Sequence, residues 1–373
     1  MTGSGTVPAA AALAALAGLP GMGPRRLAVL LMAWDPPEAW RRVASGSVEA
    51  SVLALGGARV GADVLVRWRL EAACVDLDVL WRRHLDAGVG VSGPGDLGFP
   101  AALADDPEPP ALLFHQGDPG VLDRPRVAVV GTRRCTHTGR QVARELGADL
   151  AAAGVCVVSG LALGIDGAAH VGALEAGGAP PVAVVATGLD IAYPRRHASL
   201  WAEVAAAGAV LSEYPLGTTV EPWRFPARNR IIAGLADVVV VVESPARGGS
   251  MHTVEAALAR DRAVMAVPGS VRSPASVGTN GLLSSGATPA RDAADVLVAL
   301  GMASRAPVRD RPDPPGGDAG AVLDALGGDP ATMEQLAGRL DVPLGPLAVH
   351  LAALESSGWV VRHGAWYERS QPG

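Results

Sequence analysis

The segment Phe225-Pro226-Ala227-Arg228-Asn229-Arg230 sets one aromatic ring among guanidinium groups, with Arg224 directly before it. In a chain with 4% aromatic residues, that combination is the one a single-stranded polynucleotide needs. A base stacks on the ring, contributing roughly 1–3 kcal/mol, while guanidinium groups meet phosphates. The same residues also fit a plainer arrangement, in which Phe225 plugs the core and Arg228 pairs with Glu213 or Asp190. A second concentration of charge lies upstream: residues 124–144 carry six arginines and no acid. Within them Gly131-Thr132-Arg133-Arg134 is followed by Thr136, Thr138 and Gly139. A loop of this composition, ending a strand and opening a helix, presents outward-pointing backbone N–H groups to an anionic oxygen. A generic turn followed by a solvated helix face would use the same residues.

Comparable turns recur. Ser159-Gly160-Leu161-Ala162-Leu163-Gly164-Ile165-Asp166 has two glycines that let backbone approach a ligand and an acid able to cap a helix, though a tight capped turn explains it equally well. Gly188-Leu189-Asp190-Ile191-Ala192-Tyr193-Pro194-Arg195-Arg196-His197 and Ser212-Glu213-Tyr214-Pro215 follow. Then come Gly248-Gly249-Ser250-Met251-His252-Thr253, Gly278-Thr279-Asn280 and Gly286-Ala287. Together these turns imply one extended, phosphate-friendly groove, with Thr132, Arg133, Arg134, Thr136, Ser159, Gly160, Phe225, Arg228, Asn229, Arg230, Gly249 and Ser250 as its contacts.

The elements that must position these turns are legible as apolar runs: 126–131, 155–160, 181–188, 209–213, 237–243 and 263–269. Continuous β-branched strands separated by helix-length segments indicate a parallel sheet covered on both faces. Right-handed crossovers then bring every strand's C-terminal turn to one edge, where open α/β sheets bind ligands. The fold expected is therefore α/β, a parallel-sheet core over residues 85–302 with a further strand around Ala111–His115. A helical domain, 1–84, precedes it. A Pro/Gly-rich linker, 303–320, and a small domain, 321–373, follow.

Bulk properties narrow the function class. The net charge of −6 gives no global attraction to nucleic acid, so a DNA site must be a local cluster of arginine, the chain having no lysine. Cys74, Cys135 and Cys156 lack C-x-x-C spacing, which argues against structural zinc and fits a reducing cytoplasm. The apolar run Ala9–Leu19 has no basic residue before it and reads as a core helix rather than a leader; no run is long enough for a bilayer.

The ordered series GTRR, SGLALGID, GLDIAYP, SEYP, FPARNRIIAGL, VVVVES…GGSMHT, VPGS and GTN resembles the core of the DNA-processing protein A (DprA/Smf) family over roughly residues 90–300. The resemblance implies an extended Rossmann-like fold and a dimer that binds single-stranded DNA and loads a RecA-type recombinase during natural transformation or recombination. It carries DNA contacts onto Thr132–Arg134, Gly160, Phe225, Arg228 and Asn229. Three positions depart from the family pattern: Leu163 and His197 replace a basic residue and an Asn, and Leu283-Ser284-Ser285-Gly286 lacks a basic residue. These departures imply either weaker affinity for DNA or more reliance on Arg133 and Arg134.

The flanks resemble known small modules. Leu16–Leu31, with Gly21, Gly23 and Pro24 in a tight turn, resembles a helix-hairpin-helix or SAM-like unit, in which Arg25 and Arg26 would help hold a phosphate; a corner that merely packs is the alternative. The last domain resembles a winged helix, with Thr332 and Gln335 as a capping box and a hairpin through His363-Gly364. Its recognition segment, Val342–Ser357, has no arginine and only His350 as a donor, which favours protein contact over base readout.

An enzymatic alternative rests on Ala246–Glu255, a distorted version of the P-G-G-x-G-T-x-x-E run of phosphoribohydrolases. Aligned on Thr253, His252 stands where a glycine is needed, and Glu255 comes one residue early, about 100° out of helical phase. No phosphate loop, H-E-x-x-H or G-x-S-x-G appears, and His137, His170, His197 and His252 are scattered. A binder without catalytic residues, metal or cofactor is the expectation.

Overall fold

Valine-rich runs with both faces covered become the centre of a nine-stranded sheet. Gly90–Ser92 (β1) and Leu113–Gly117 (β2) precede Arg126–Val130 (β3), Cys156–Ser159 (β4), Val182–Val184 (β5), Ala209–Ser212 (β6), Val238–Val241 (β7), Ala263–Ala266 (β8) and Thr288–Pro289 (β9). The computed structural model describes residues 8–55, 57, 60–96, 98–302, 313–327 and 329–370. Those residues fall into two compact units, one within Met1–Pro307 and one within Val308–Gly373.

The strand order is β1-β2-β6-β5-β4-β3-β7-β8-β9. Every neighbouring pair from β6 to β9 is parallel, whereas β2 lies antiparallel on β6 and β1 antiparallel on β2. The strand expected near Ala111–His115 is thus β2. From β3 the chain winds outward one way through β4, β5 and β6, then returns to β3's other side to add β7, β8 and β9. The reversal at the β3–β7 pair is a topological switch point.

Two layers of helix cover the sheet. Helices Arg224–Leu235 and Gly249–Leu258 bury Ile231, Ile232, Val254 and Ala257 on one face, against Ala128, Val130 and Val241. On the other face His137–Ala152, Ile165–Ala176 and Ala293–Ala299 bury Leu146, Leu150, Ala169 and Val296 against Val127, Val129 and Val240. The six N-terminal helices, from Ala9–Ala17 to Leu77–Asp86, share a core with the sheet: Leu16, Leu30 and Trp68 pack in one cluster with Phe114, Ala183, Val210 and Trp201.

In the second unit three helices, Gly317–Leu326, Met333–Leu340 and Leu344–Ser356, bury Leu323, Leu336, Leu347 and Leu351 beside Trp359 and Tyr367. Its three strands are Ala331–Thr332 (β10), Val360–His363 (β11) and Trp366–Arg369 (β12), with β12 in the middle. This is the winged-helix arrangement, and the Thr332–Gln335 capping box forms in both directions. Of the stretch expected as linker, 303–312 lies outside the described residues, and Gly317–Gly320 belong to the first of these helices. Among the described residues no helix is long and apolar enough to cross a membrane.

Candidate nucleic-acid interface

Helices leaving β3 and β7 go to opposite faces, so a crevice must open between the C-terminal ends of these two strands. There the structure has a cleft of about 440 Å3, lined by Thr132, Arg133 and Arg134 after β3, Ala162 and Asp166 after β4, Gly248–Ser250 after β7, and Phe225 and Asn229 of the 224–235 helix. Three of the expected turns and the FPARN segment therefore converge.

At its mouth the Arg133 guanidinium lies over the Phe225 ring, 4.6 Å from the centroid. Tyr193 adds a second ring, tilted by 45° at 5.8 Å from Phe225. Phe225 is half-buried, so it is neither a core plug nor a loose side chain. Arg133 and Arg134 are exposed, and neither has a carboxylate partner among the described residues. Planar cation, ring and uncompensated charge are in one place.

Other expected contacts are already engaged by the protein. The N-terminus of the 137–152 helix is not the open anion site anticipated. Glu243, at the end of β7, places its carboxylate there, accepting from the Thr136 amide at 2.8 Å and the Thr136 hydroxyl at 2.6 Å. Thr136 in turn caps the helix by accepting from the Gly139 amide at 2.9 Å. A side chain at Gly139 would collide with that carboxylate, which explains the glycine. The Thr132 amide donates to the Glu243 carbonyl at 2.8 Å, and the Arg134 amide donates to the Thr132 hydroxyl at 3.2 Å.

Ser159 is wholly buried and donates inward to the Val129 carbonyl at 2.6 Å, so its hydroxyl does not reach the cleft. Gly160 is buried too. Its amide donates to Asp166 at 3.1 Å, and its carbonyl accepts from Arg228 at 2.9 Å. A Cβ at Gly160 would occupy the space of the Arg228 guanidinium. Arg228, 4% exposed, also donates to the Val184 carbonyl and to Asn229 Oδ1, the latter at 3.1 Å. Burial brings its guanidinium down to about 10, opposed by the Asp166 charge; burial likewise pushes Asp166 up, opposed by Arg228. Neither Glu213 nor Asp190 pairs with Arg228. Glu213 takes Arg230, which also donates to the Glu108 carbonyl at 2.7 Å, and Asp190 takes Arg83 at 3.0 Å. Burial raises the Glu213 carboxyl and Arg230 opposes it. Asn229 donates to the Gly249 carbonyl at 3.1 Å, and Ser250 donates to Ser244 at 2.9 Å. The arginines of the 224–235 helix thus build the wall, and the free charge comes from the loop after β3.

The residue reading missed Tyr193, whose ring completes the aromatic corner, and gave no role to Arg195 and Arg196, which stand exposed just after it. Tyr-Pro-Arg-Arg was a usable signal: an aromatic residue and two guanidinium groups within one turn. Of the catalytic alternative, Glu255 is 73% exposed with His252 at 3.4 Å, and it is not among the residues of the cleft. No group of three metal-ligating side chains occurs among the described residues.

The family model described as DNA recombination-mediator protein A matches residues 91–301, and that of the DprA winged helix domain matches 305–365. A Mycobacterium tuberculosis relative is 37% identical over 91% of this chain and 90% of its own length. The crystal structure of DNA processing protein A from Streptococcus pneumoniae aligns with a TM-score of 0.62 at 32% identity, covering 77% of this chain and 95% of that one. DNA processing protein A from Helicobacter pylori, whose structure concerns its single-stranded DNA binding mode, aligns with a TM-score of 0.51 at 31% identity, covering 56% and 95%.

Proposed function

The chain belongs to the DNA recombination-mediator protein A family, and from that membership we propose that its switch-point cleft holds single-stranded DNA and hands it to a RecA-type recombinase. The observation that carries this reading is the Arg133–Phe225 stack beside Arg134 at the mouth of the cleft. Bases stack on Phe225, or on the guanidinium plane that covers it, and phosphates meet the two uncompensated arginines. Thr132 and Gly249 border the path, whereas Gly160, Arg228 and Asn229 shape it from beneath. Thr136, Ser159, Arg230 and Ser250 keep the wall intact rather than touching the strand. Nothing in this arrangement requires a base's edge to be read, so binding is general in sequence.

The protein acts as a cytoplasmic homodimer. Support for self-association comes from exposed apolar side chains around β8: Leu258 before it, Val271 and Val277 after it. The winged helix serves protein contact, since its third helix offers His350 as its one ring donor and that ring faces Asp318 at 3.7 Å.

The test is filament assembly by a RecA-type recombinase on single strands coated with single-strand binding protein. The chain is expected to accelerate nucleation, and Phe225→Ala to abolish the acceleration. Acceleration undiminished by Phe225→Ala would separate the cleft from the loading role. Release of free base from a nucleoside monophosphate, lost in Glu255→Gln, would instead establish the enzymatic alternative.

A further inference from the structure

Residues adjacent to Phe225 in the chain line a second cavity, also of about 440 Å3. Trp223 and Arg224 form one side, Tyr214 and Glu213 another, and the Gly18–Pro24 turn of the first two helices a third. Trp223 is 56% exposed, yet its position is fixed: its indole N–H donates to Glu221, and Arg224 covers it, 5.1 Å from the ring centroid. The same guanidinium lies 5.1 Å from the Tyr214 ring, which meets Trp223 edge-on at 6.4 Å. Arg224 is held by the Thr219 carbonyl and by Glu221 at 3.2 Å. An exposed ring held in place this way has its entropy cost already met and is ready to stack.

The wall also carries polar atoms that its own packing leaves unmatched. Glu213 Oε2, Tyr214 Oη and Arg224 Nε are buried without a hydrogen-bond partner among the described residues. Buried polar groups are nearly always satisfied, and three orphans in one corner mark a place completed by something else. A small shift of these side chains on ligand entry would present a carboxylate oxygen, a hydroxyl and a guanidinium N–H to a planar ligand whose edge alternates donors and acceptors. Nucleobases have such edges, and both faces of a base stack on aromatic rings.

We infer that this cavity is a second base site, taking a nucleobase from the strand that runs over Phe225. The inference rests on the single-strand reading above. Its warrant is continuity: Arg224 and Phe225 are consecutive, and one lines each cavity. A strand crossing the start of the 224–235 helix reaches both.

The test uses the full chain and oligothymidylates graded from about 4 to about 16 nucleotides, the range of site sizes for comparable grooves. Phe225→Ala weakens binding at every length. Trp223→Ala weakens it roughly 5- to 150-fold only beyond the length at which the strand reaches the second cavity. Gly23→Leu should do the same by filling the space. An ideal Cβ there meets nothing within 4 Å, and the backbone is extended at φ −97°, so the fold tolerates the change. Melting curves confirm that tolerance. Wild-type affinity at all lengths in a folded Trp223→Ala protein overturns the inference, as does an equal loss at all lengths, which would make Trp223 part of the first site. A wild-type chain that binds no oligothymidylate overturns the single-strand reading itself and this inference with it.

Discussion

Arg228 and Arg133 border the same cleft, and their surroundings give them different work. Arg228 is buried and donates to two backbone carbonyls, so its charge belongs to the fold. Arg228→Ala would leave the Gly160 and Val184 carbonyls buried without their donor and should cost about 1–3 kcal/mol in urea unfolding. A loss below about 1 kcal/mol would show that the guanidinium is instead held for a ligand. Arg133 covers Phe225 from solvent, and Phe225→Ala should lower single-strand affinity by about 1–3 kcal/mol with little change in melting temperature. His170 gives the molecule a pH limit. Burial holds its ring down to about 4, with Nε2 facing the Val182 carbonyl at 3.2 Å and the His197 and Arg228 charges acting in the same direction as burial. The unfolded chain takes up that proton near 6.5, so the stability gained is complete above pH 6.5 and drains away as the pH falls toward 4. The total is about 3 kcal/mol. His170→Gln should flatten that limb of a melting-temperature profile; an unchanged limb would assign it to other groups.

At the scale of elements, what the sequence showed well was whatever local pattern determines. The six apolar runs became β3 to β8, and Thr332-Met333-Glu334-Gln335 became a two-way cap. The state of a helix terminus was not legible. Residues 131–139 have every mark of an open anion site, but the carboxylate that fills it comes from Glu243, 107 residues beyond Thr136. Glu243→Ala should cost about 1–3 kcal/mol, because the Thr136 amide and hydroxyl lose their acceptor. Hydrogen exchange in the first turn of the 137–152 helix would locate the loss; an unchanged rate there would mean that the carboxylate is dispensable to that helix. The side-chain engagement of the FPARNR arginines was hidden for the same reason. Their partners Glu213, Glu108, Gly160 and Val184 come from distant strands and loops, and only packing reveals them.

Across the whole molecule, the site follows from winding direction. Because the chain returns to β3's free side to add β7, the loops after both strands border one crevice, and the order of runs in the sequence already contained that edge. What it did not contain was the sharing of a core between the N-terminal helices and the sheet, which brings the Gly18–Pro24 turn beside Tyr214 and Trp223. The cleft is a small basic site on a chain of net charge −6, so the proposed attraction for a strand is expected to be local and screened by salt. The most direct measurement is fluorescence anisotropy of an unstructured oligonucleotide across a salt series, for the wild type and for Arg133→Ala/Arg134→Ala. Binding in the double variant is expected to be weaker for all base compositions, with the slope of log affinity against log salt shallower by about 1.4, two phosphate contacts' worth. A folded double variant with the wild-type slope and affinity would contradict it.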